Sequence, residues 1–286
     1  MAGVPTYGVM GWPIAHSRSP AMHNAALRAL GLPGVYVPIA VLPDRLAAAV
    51  SAAHALGMSG FNLTLPHKSA IIPLLASVEA PARAIGAVNT VVRDGDVWIG
   101  ANTDAPGLVR ALREAGVEPR ARAAVVLGAG GAARAAVVGL CEAGASKVTV
   151  AARRLASART LVDELGPHCG AELLRASDFG ADLSRALAEC TLLIQATSAT
   201  LGAHAGEFAE ALPLQVLPAG AAVCDLVYQP LETAVLARAR AMGLHCVDGL
   251  GMLLHQGALA FERWTSAAPP IEVMRQALLR QSGTKP

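Results

Sequence analysis

The 286-residue sequence predicts an α/β protein of two domains, and three observations carry that reading. The length suits two units of about 150 residues each. Short apolar runs alternate with helix-forming segments along most of the chain, the pattern of sheets flanked by helices. One apolar run, Ala123–Leu127, passes through a glycine-rich turn, Gly128-Ala129-Gly130-Gly131-Ala132-Ala133, straight into a helical pattern.

In chain order, Thr6–Met10 reads as a short strand. Ser19-Pro20 reads as a helix start, with Ser19 as cap and Pro20 at the first helical position, where a missing N–H is harmless. That helix runs to Leu30 and stops at Gly31. Val35–Val41 reads as a strand, Pro43 to about Leu56 as an Ala-rich helix ending at Gly57, and Phe61–Leu65 as a third strand. A helix then starts near His67 and is punctuated by Pro73. Asn89–Arg93 and Val97–Ala101 flank Asp94-Gly95, a hairpin signal. These elements predict a mixed α/β sheet.

A second series follows. A helix from Asp104 to Ala115 stops at Gly116; then come strand Ala124–Leu127, helix Ala132–Ala143, strand Lys147–Val150 and helix Ser157–Leu165. Strands Leu192–Ala196 and Ala222–Val227 and helix Glu232–Met242 complete it. This βαβ alternation predicts a Rossmann-like, doubly wound parallel sheet. The tail is helical, from Gly249 to about Trp264 and over Ile271–Arg280.

Composition excludes several classes. With 53% hydrophobic and 15% charged residues the chain is not disordered, and at 3% aromatic its core must be built from Ala, Val and Leu. A net charge of +2 without a basic block offers no nucleic-acid surface. Five scattered cysteines show no zinc spacing and no disulfide framework, so no metal is expected and the thiols read as reduced core residues. Residues 1–17 lack a basic n-region, and the uncharged stretch Leu46–His67 is broken by Gly57, Gly60 and Pro66, so neither a signal peptide nor a membrane span is expected. The expectation is a soluble cytoplasmic protein. Of 23 basic side chains only Lys68, Lys147 and Lys285 are lysines. A lysine can release its proton at useful pH and an arginine cannot.

The glycine turn fits G-x-G-x-x-G/A between a strand and a helix, the context of a dinucleotide site. Gly128 permits the tight turn, Gly130 lets backbone approach a pyrophosphate, and Ala133 lets helix and strand pack. The next strand is followed by Ala151-Ala152-Arg153-Arg154, with no acid to take a ribose 2′-hydroxyl. Two guanidiniums suit a 2′-phosphate, hence NADP; the plain alternative is two solvated arginines. In the first domain Ser17 and Ser19 lie in a turn before a helix, suited to an anionic ligand, or Ser19 is simply a cap. Asn62 and Thr64 share a strand face, and Lys68 follows the strand end, where ligand sites of open α/β sheets collect. Asn89, Thr103 and Asp104 stand at the hairpin ends. A lysine and an aspartate meeting at a carbonyl form a proton-transferring pair; taken singly, each is a surface polar group.

Together these segments resemble the shikimate dehydrogenase family. The matching stretches are GWPIAHSRSPAMHN from Gly11, NLTLPHK from Asn62, GAVNT from Gly86 and NTD from Asn102. They continue with VLGAGGAAR from Val126, DLVYQP from Asp225 and DGLGMLLHQGALAFERWT from Asp248. The resemblance covers nearly the whole chain in the family's order.

It implies NADPH-dependent reduction of 3-dehydroshikimate to shikimate, on the way to chorismate and the aromatic amino acids. By the resemblance Ser17 and Ser19 hold the substrate carboxylate with Tyr228, and Thr64, Asn89 and Gln256 bind ring hydroxyls. Lys68 and Asp104 are the catalytic pair. Gly128, Ala129, Gly130, Gly131, Ala132, Ala133, Arg153 and Arg154 hold NADP, with Thr197, Gly249 and Met252 beside it. The C-terminal helices return to the first domain, giving a substrate domain of 1–104 with 249–286 and an NADP domain of 105–248, in a monomer or homodimer. The chain departs from the family at Ala152, usually Asn, and at Gln195, which opens a segment usually reading Asn-Ala-Thr-Ser. Rival readings are a quinate/shikimate dehydrogenase preferring NAD, a non-catalytic NADP-binding regulator on the same scaffold, and an adenosine site of a methyl transferase. The last leaves the Lys68 and Gln256 motifs unexplained.

Overall fold

The computed structural model describes residues 3–280, so Lys285 lies outside the described residues. The chain forms two compact units. One runs from the start of the chain to Thr103 and resumes at Leu254; the other is Asp104–Leu253.

The first unit holds strands β1 (Thr6–Gly11), β2 (Val35–Ala40), β3 (Gly60–Leu63), β4 (Ser77–Val78), β5 (Thr90–Asp94) and β6 (Val97–Ala101). Helices α1 (Ser19–Ala29), α2 (Leu46–Ala55), α3 (His67–Ala70) and α4 (Ala80–Ile85) connect them. The sheet order is β2-β1-β3-β5-β6-β4, with β1 parallel to both neighbours and β5 antiparallel to β3 and β6. Met10, Phe61, Leu63, Ile71, Val91 and Trp98 form a core over which α2 lays Leu46, Val50 and Ala53.

The second unit begins with α5 (Asp104–Glu114) and alternates β7 (Ala123–Leu127), α6 (Gly131–Glu142), β8 (Lys147–Ala151), α7 (Leu155–Cys169), β9 (Leu174–Ser177), α8 (Ala181–Ala188) and β10 (Leu192–Gln195). It continues through α9 (Ala205–Ala211), β11 (Ala222–Asp225), α10 (Ala234–Ala241) and β12 (His245–Val247). All six strands are parallel, in the order β12-β11-β10-β7-β8-β9. Chain direction across the sheet reverses between β7 and β10, the switch point where open α/β sheets bind ligands. Helix α11 (Gly249–Thr265) starts in this unit and ends in the first, and α12 (Ile271–Arg280) packs on α1. Among the described residues no helix is long and apolar enough to cross a membrane, and no cluster of His, Cys, Asp or Glu is able to hold a metal ion.

Several expectations need correction. Ser19 is not the cap of α1: Arg18 occupies that position, its carbonyl accepting from Met22 N, and Ser19 is already helical. The hairpin turn is Gly95-Asp96, because Asp94 still pairs with Val97 and Gly95 (φ +56°) takes the left-handed first loop position. Strands three and eleven end at Leu63 and Asp225, earlier than their apolar runs suggested. Helix α10 starts after Thr233, whose hydroxyl accepts from Leu236 N. Short β4 and half-exposed β9 and β12 carry too little apolar pattern to read from sequence.

His23 of α1 is wholly buried, stacked on Tyr36 with ring centroids 4.2 Å apart, and neither ring nitrogen has a hydrogen-bond partner. Burial lowers its pKa from 6.5 to about 3. The unfolded chain therefore binds a proton that the folded chain refuses, so stability falls as pH falls between those values. The slope approaches about 1.4 kcal/mol per pH unit. Urea unfolding of wild type and His23→Phe at about pH 5 and about pH 7 checks this: the variant is expected to lose most of the pH dependence.

Candidate active site

In the first unit the polar motifs meet at the carboxyl ends of β1 and β3. Thr64 N donates to Met10 O (3.0 Å) and Trp12 N to Leu65 O (3.0 Å), which brings the Gly11 and Asn62 motifs side by side. The next turn is α3. Buried His67 places Nε2 2.8 Å from Val41 O, and Val88 N donates to Lys68 O (2.8 Å). Both contacts fix the backbone that carries half-buried Lys68 and seat it next to Asn89.

Asn89 is the centre of the cluster. Its Oδ1 accepts from Thr103 N (2.8 Å) and Thr90 Oγ1 (3.0 Å). Its Nδ2 donates to Thr103 Oγ1 (2.9 Å) and Gln256 Oε1 (3.3 Å). Asn62 sits beneath, donating to Asn89 O (3.0 Å) and Thr90 Oγ1 (3.1 Å) while accepting from Tyr36 Oη (2.7 Å). The Tyr36 hydroxyl also contacts Ser19, and its pKa is pushed well up by burial. Lys68, Thr64, Asn89, Gln256 and Ser19 thus lie in one unit. Asp104 is buried at the first position of α5, directly after Thr103 in the chain, and half-buried Tyr228 follows β11.

In the second unit a cleft of about 960 Å³ opens at the switch point, near the upper end of small-molecule pockets. Gly128, Ala129 and Gly130 form one wall, Arg153, Arg154 and Ser157 another, and Thr197, Ser198 and Ala199 a third. Phe179 and Phe208 supply an aromatic end. Gly128 adopts φ +116°, and nothing lies within 4 Å of where a Cβ on Gly130 would stand. That open backbone at the start of α6, with two exposed guanidiniums across the cleft, fits a phosphorylated dinucleotide. Gly131, Ala132 and buried Ala133 open the helix. Gly249 and Met252 lie at the start of α11 and do not line this cleft.

The sequence marked Gln195 only as a departure from the family, without showing that it holds the cleft. Gln195 is fully buried at the end of β10, bonded to both backbone groups of Thr197, and Asp225 lies opposite it in register on β11. Burial raises the Asp225 pKa, while Val227 N and the Thr233 hydroxyl, donating to it, act the other way. The available signal was one polar residue closing the apolar run Leu192–Ile194. Phe179, Phe208 and Ser157 carried no comparable signal.

Comparison with known proteins covers the same segments. Residues 9–91 match the shikimate dehydrogenase substrate binding domain, 111–216 the shikimate / quinate 5-dehydrogenase model and 249–279 the shikimate 5′-dehydrogenase C-terminal domain. A shikimate dehydrogenase (NADP+) of Geobacter metallireducens is 46% identical over 95% of each chain. A crystal structure of a shikimate dehydrogenase in complex with NADP+ has a TM-score of 0.89 at 36% identity, covering 99% of this chain and 96% of that one. The Thermus thermophilus shikimate 5-dehydrogenase in complex with NADP(H) and shikimate has a TM-score of 0.85 at 39% identity, covering 97% and 99%.

The two glycines of the turn are expected to fail differently. Gly130→Ala meets no atom in the protein, so its melting temperature stays near wild type while dinucleotide affinity falls roughly tenfold or more. Gly128→Ala combines positive φ with contacts at 3.1 Å to Thr197 Cγ2 and 3.2 Å to Ala196 O, so it also loses roughly 1–3 kcal/mol of stability. Calorimetric titration with NADP and thermal unfolding of both variants separate the two effects.

Proposed function

The chain belongs to the shikimate dehydrogenase family, and from that premise we propose that it interconverts 3-dehydroshikimate and shikimate with NADP(H). The observation that carries the reading is the glycine turn at the switch point with Arg153 and Arg154 across the same cleft, and no acid after β8. Two guanidiniums favour a 2′-phosphate and so NADP over NAD; Arg154 offsets the amide that Ala152 lacks.

When bound, NADPH supplies hydride to the ketone carbon, and NADP+ accepts it in the reverse direction. The chain's residues handle the proton and the geometry. Lys68 as ammonium donates its proton to the developing alkoxide and stabilises its charge; as a neutral amine it takes that proton back in the oxidative direction. Asp104 orients Lys68 or the reacting hydroxyl and helps set its proton affinity. Ser17 and Ser19, with Tyr228, hold the carboxylate, and Thr64, Asn89 and Gln256 hold ring hydroxyls. Residues 128–133 seat the pyrophosphate, Arg153 and Arg154 the 2′-phosphate, and Thr197, Gly249 and Met252 flank the cofactor. In this reading the substrate domain is 1–104 with 249–286 and the NADP domain 105–248. The enzyme works in the cytoplasm as a monomer or homodimer, without a nucleic-acid or membrane partner.

Reduced-nicotinamide absorbance with shikimate and NADP tests the assignment. Lys68→Ala is expected to lower kcat by about 10²–10⁴, the usual worth of a proton-transfer group. Lys68→Arg should be similarly impaired, because a guanidinium does not release its proton. An unchanged kcat in Lys68→Ala sinks the assignment. Replacing both Arg153 and Arg154 by Ala should reduce the kcat/KM preference for NADP over NAD roughly tenfold or more.

A further inference from the structure

We infer that Gln195 is a positioning residue for the cofactor: it clamps Thr197 so that the loop after β10 meets the glycine turn at a set width. The inference rests on the proposed use of this cleft by NADP.

Gln195 stands at the switch point itself, in register with Leu127 of β7 on one side and Asp225 of β11 on the other. Its side chain pairs with the backbone of Thr197 as a neighbouring strand would. Oε1 accepts from Thr197 N (2.8 Å), and Nε2 donates to Thr197 O (2.9 Å). A backbone N–H only donates and a carbonyl only accepts, so the orientation of this amide follows from its partners. Nε2 donates further to Thr200 Oγ1 (3.0 Å), tying down the far end of the loop.

The Thr197 hydroxyl is committed as well. It accepts from Ala199 N (3.0 Å) and donates to Gln195 Oε1 (2.7 Å). Its single hydrogen is therefore turned away from the cleft, and its methyl is left against the turn: a Cβ on Gly128 would stand 3.1 Å from Thr197 Cγ2. Asp225 braces the clamp from behind. Its Oδ1 lies 3.4 Å from Gln195 Nε2 and also accepts from Val227 N (3.0 Å), and its Oδ2 accepts from Thr233 Oγ1 (2.7 Å). Thus a side chain that does not line the cleft decides how closely Thr197, Ser198 and Ala199 approach the glycine wall.

Calorimetric titration of NADP into the ligand-free protein, with amide hydrogen exchange of the same samples, tests this. Gln195→Leu removes the whole clamp and is expected to raise the NADP Kd about tenfold. Exchange at Thr197 and Ala199 should accelerate while β7 stays protected. kcat at saturating NADP and the KM for shikimate should stay within about threefold. Gln195→Met keeps the length and bulk without a charge and also loses the clamp, so its Kd should rise by a similar factor; it decides the matter if Gln195→Leu does not fold. An NADP Kd unchanged in whichever variants fold overturns the inference. So does a loss in which Kd, KM for shikimate and kcat shift together with exchange throughout β7 and β10, since that is general destabilisation. Wild-type protein that binds no NADP would instead overturn the functional reading on which the inference rests.

Discussion

The side-chain amide of Asn89 is the point on which the first unit depends. Buried, with bonds on both its oxygen and its nitrogen, it joins the strand it precedes, the segment that leaves the hairpin at Thr103, and Gln256 on a helix 167 residues further along the chain. A buried amide left half-satisfied costs more than it contributes, so each partner holds the others in place. Lys68 inherits that rigidity through the Val88 amide on its carbonyl, and His67 anchors the same turn to Val41. The candidate proton-transfer group is therefore carried on backbone restrained from two sides, although its own helix has only four residues.

The second unit reaches a comparable result by the opposite means. The glycine wall of its cleft has almost no side chains, only glycine and alanine backbone at the mouth of α6. Precision there has to come from neighbours, because glycine loses more freedom on folding than any other residue. Gln195 and Asp225, hidden beneath the loops, provide it. One candidate site is thus built from polar side chains and the other from bare backbone, and each is held by polar groups out of contact with solvent.

Most of this was legible in the sequence. Strands buried on both faces announced themselves as apolar runs, as in Ala123–Leu127 and Leu192–Ile194, and their helices ended at glycines with positive φ such as Gly31, Gly57 and Gly116. The glycine turn and the arginines after β8 could be placed because a dinucleotide site ties residue type to spacing. What escaped lay where pattern is weak. The edge strands β4, β9 and β12 are short and partly exposed, so no periodicity marks them. Ser19 read as a cap because serine before proline is a strong start signal, yet the preceding arginine supplied the first helical carbonyl. Convergence was illegible too: nothing in the spacing of residues 62, 89, 103 and 256 says that their side chains form one network.

Helix α11 is shared property. The chain enters the second unit between Thr103 and Asp104, at the start of a helix, but leaves it between Leu253 and Leu254, inside one. Cutting there would leave the five residues Gly249–Leu253 on one fragment, too few to stand as an isolated helix. The other fragment would have to begin, mid-turn, the helix that brings Gln256 to Asn89. The two units are compact, yet they are not modules that can be exchanged at a linker, and a graft of either must decide which partner keeps the helix.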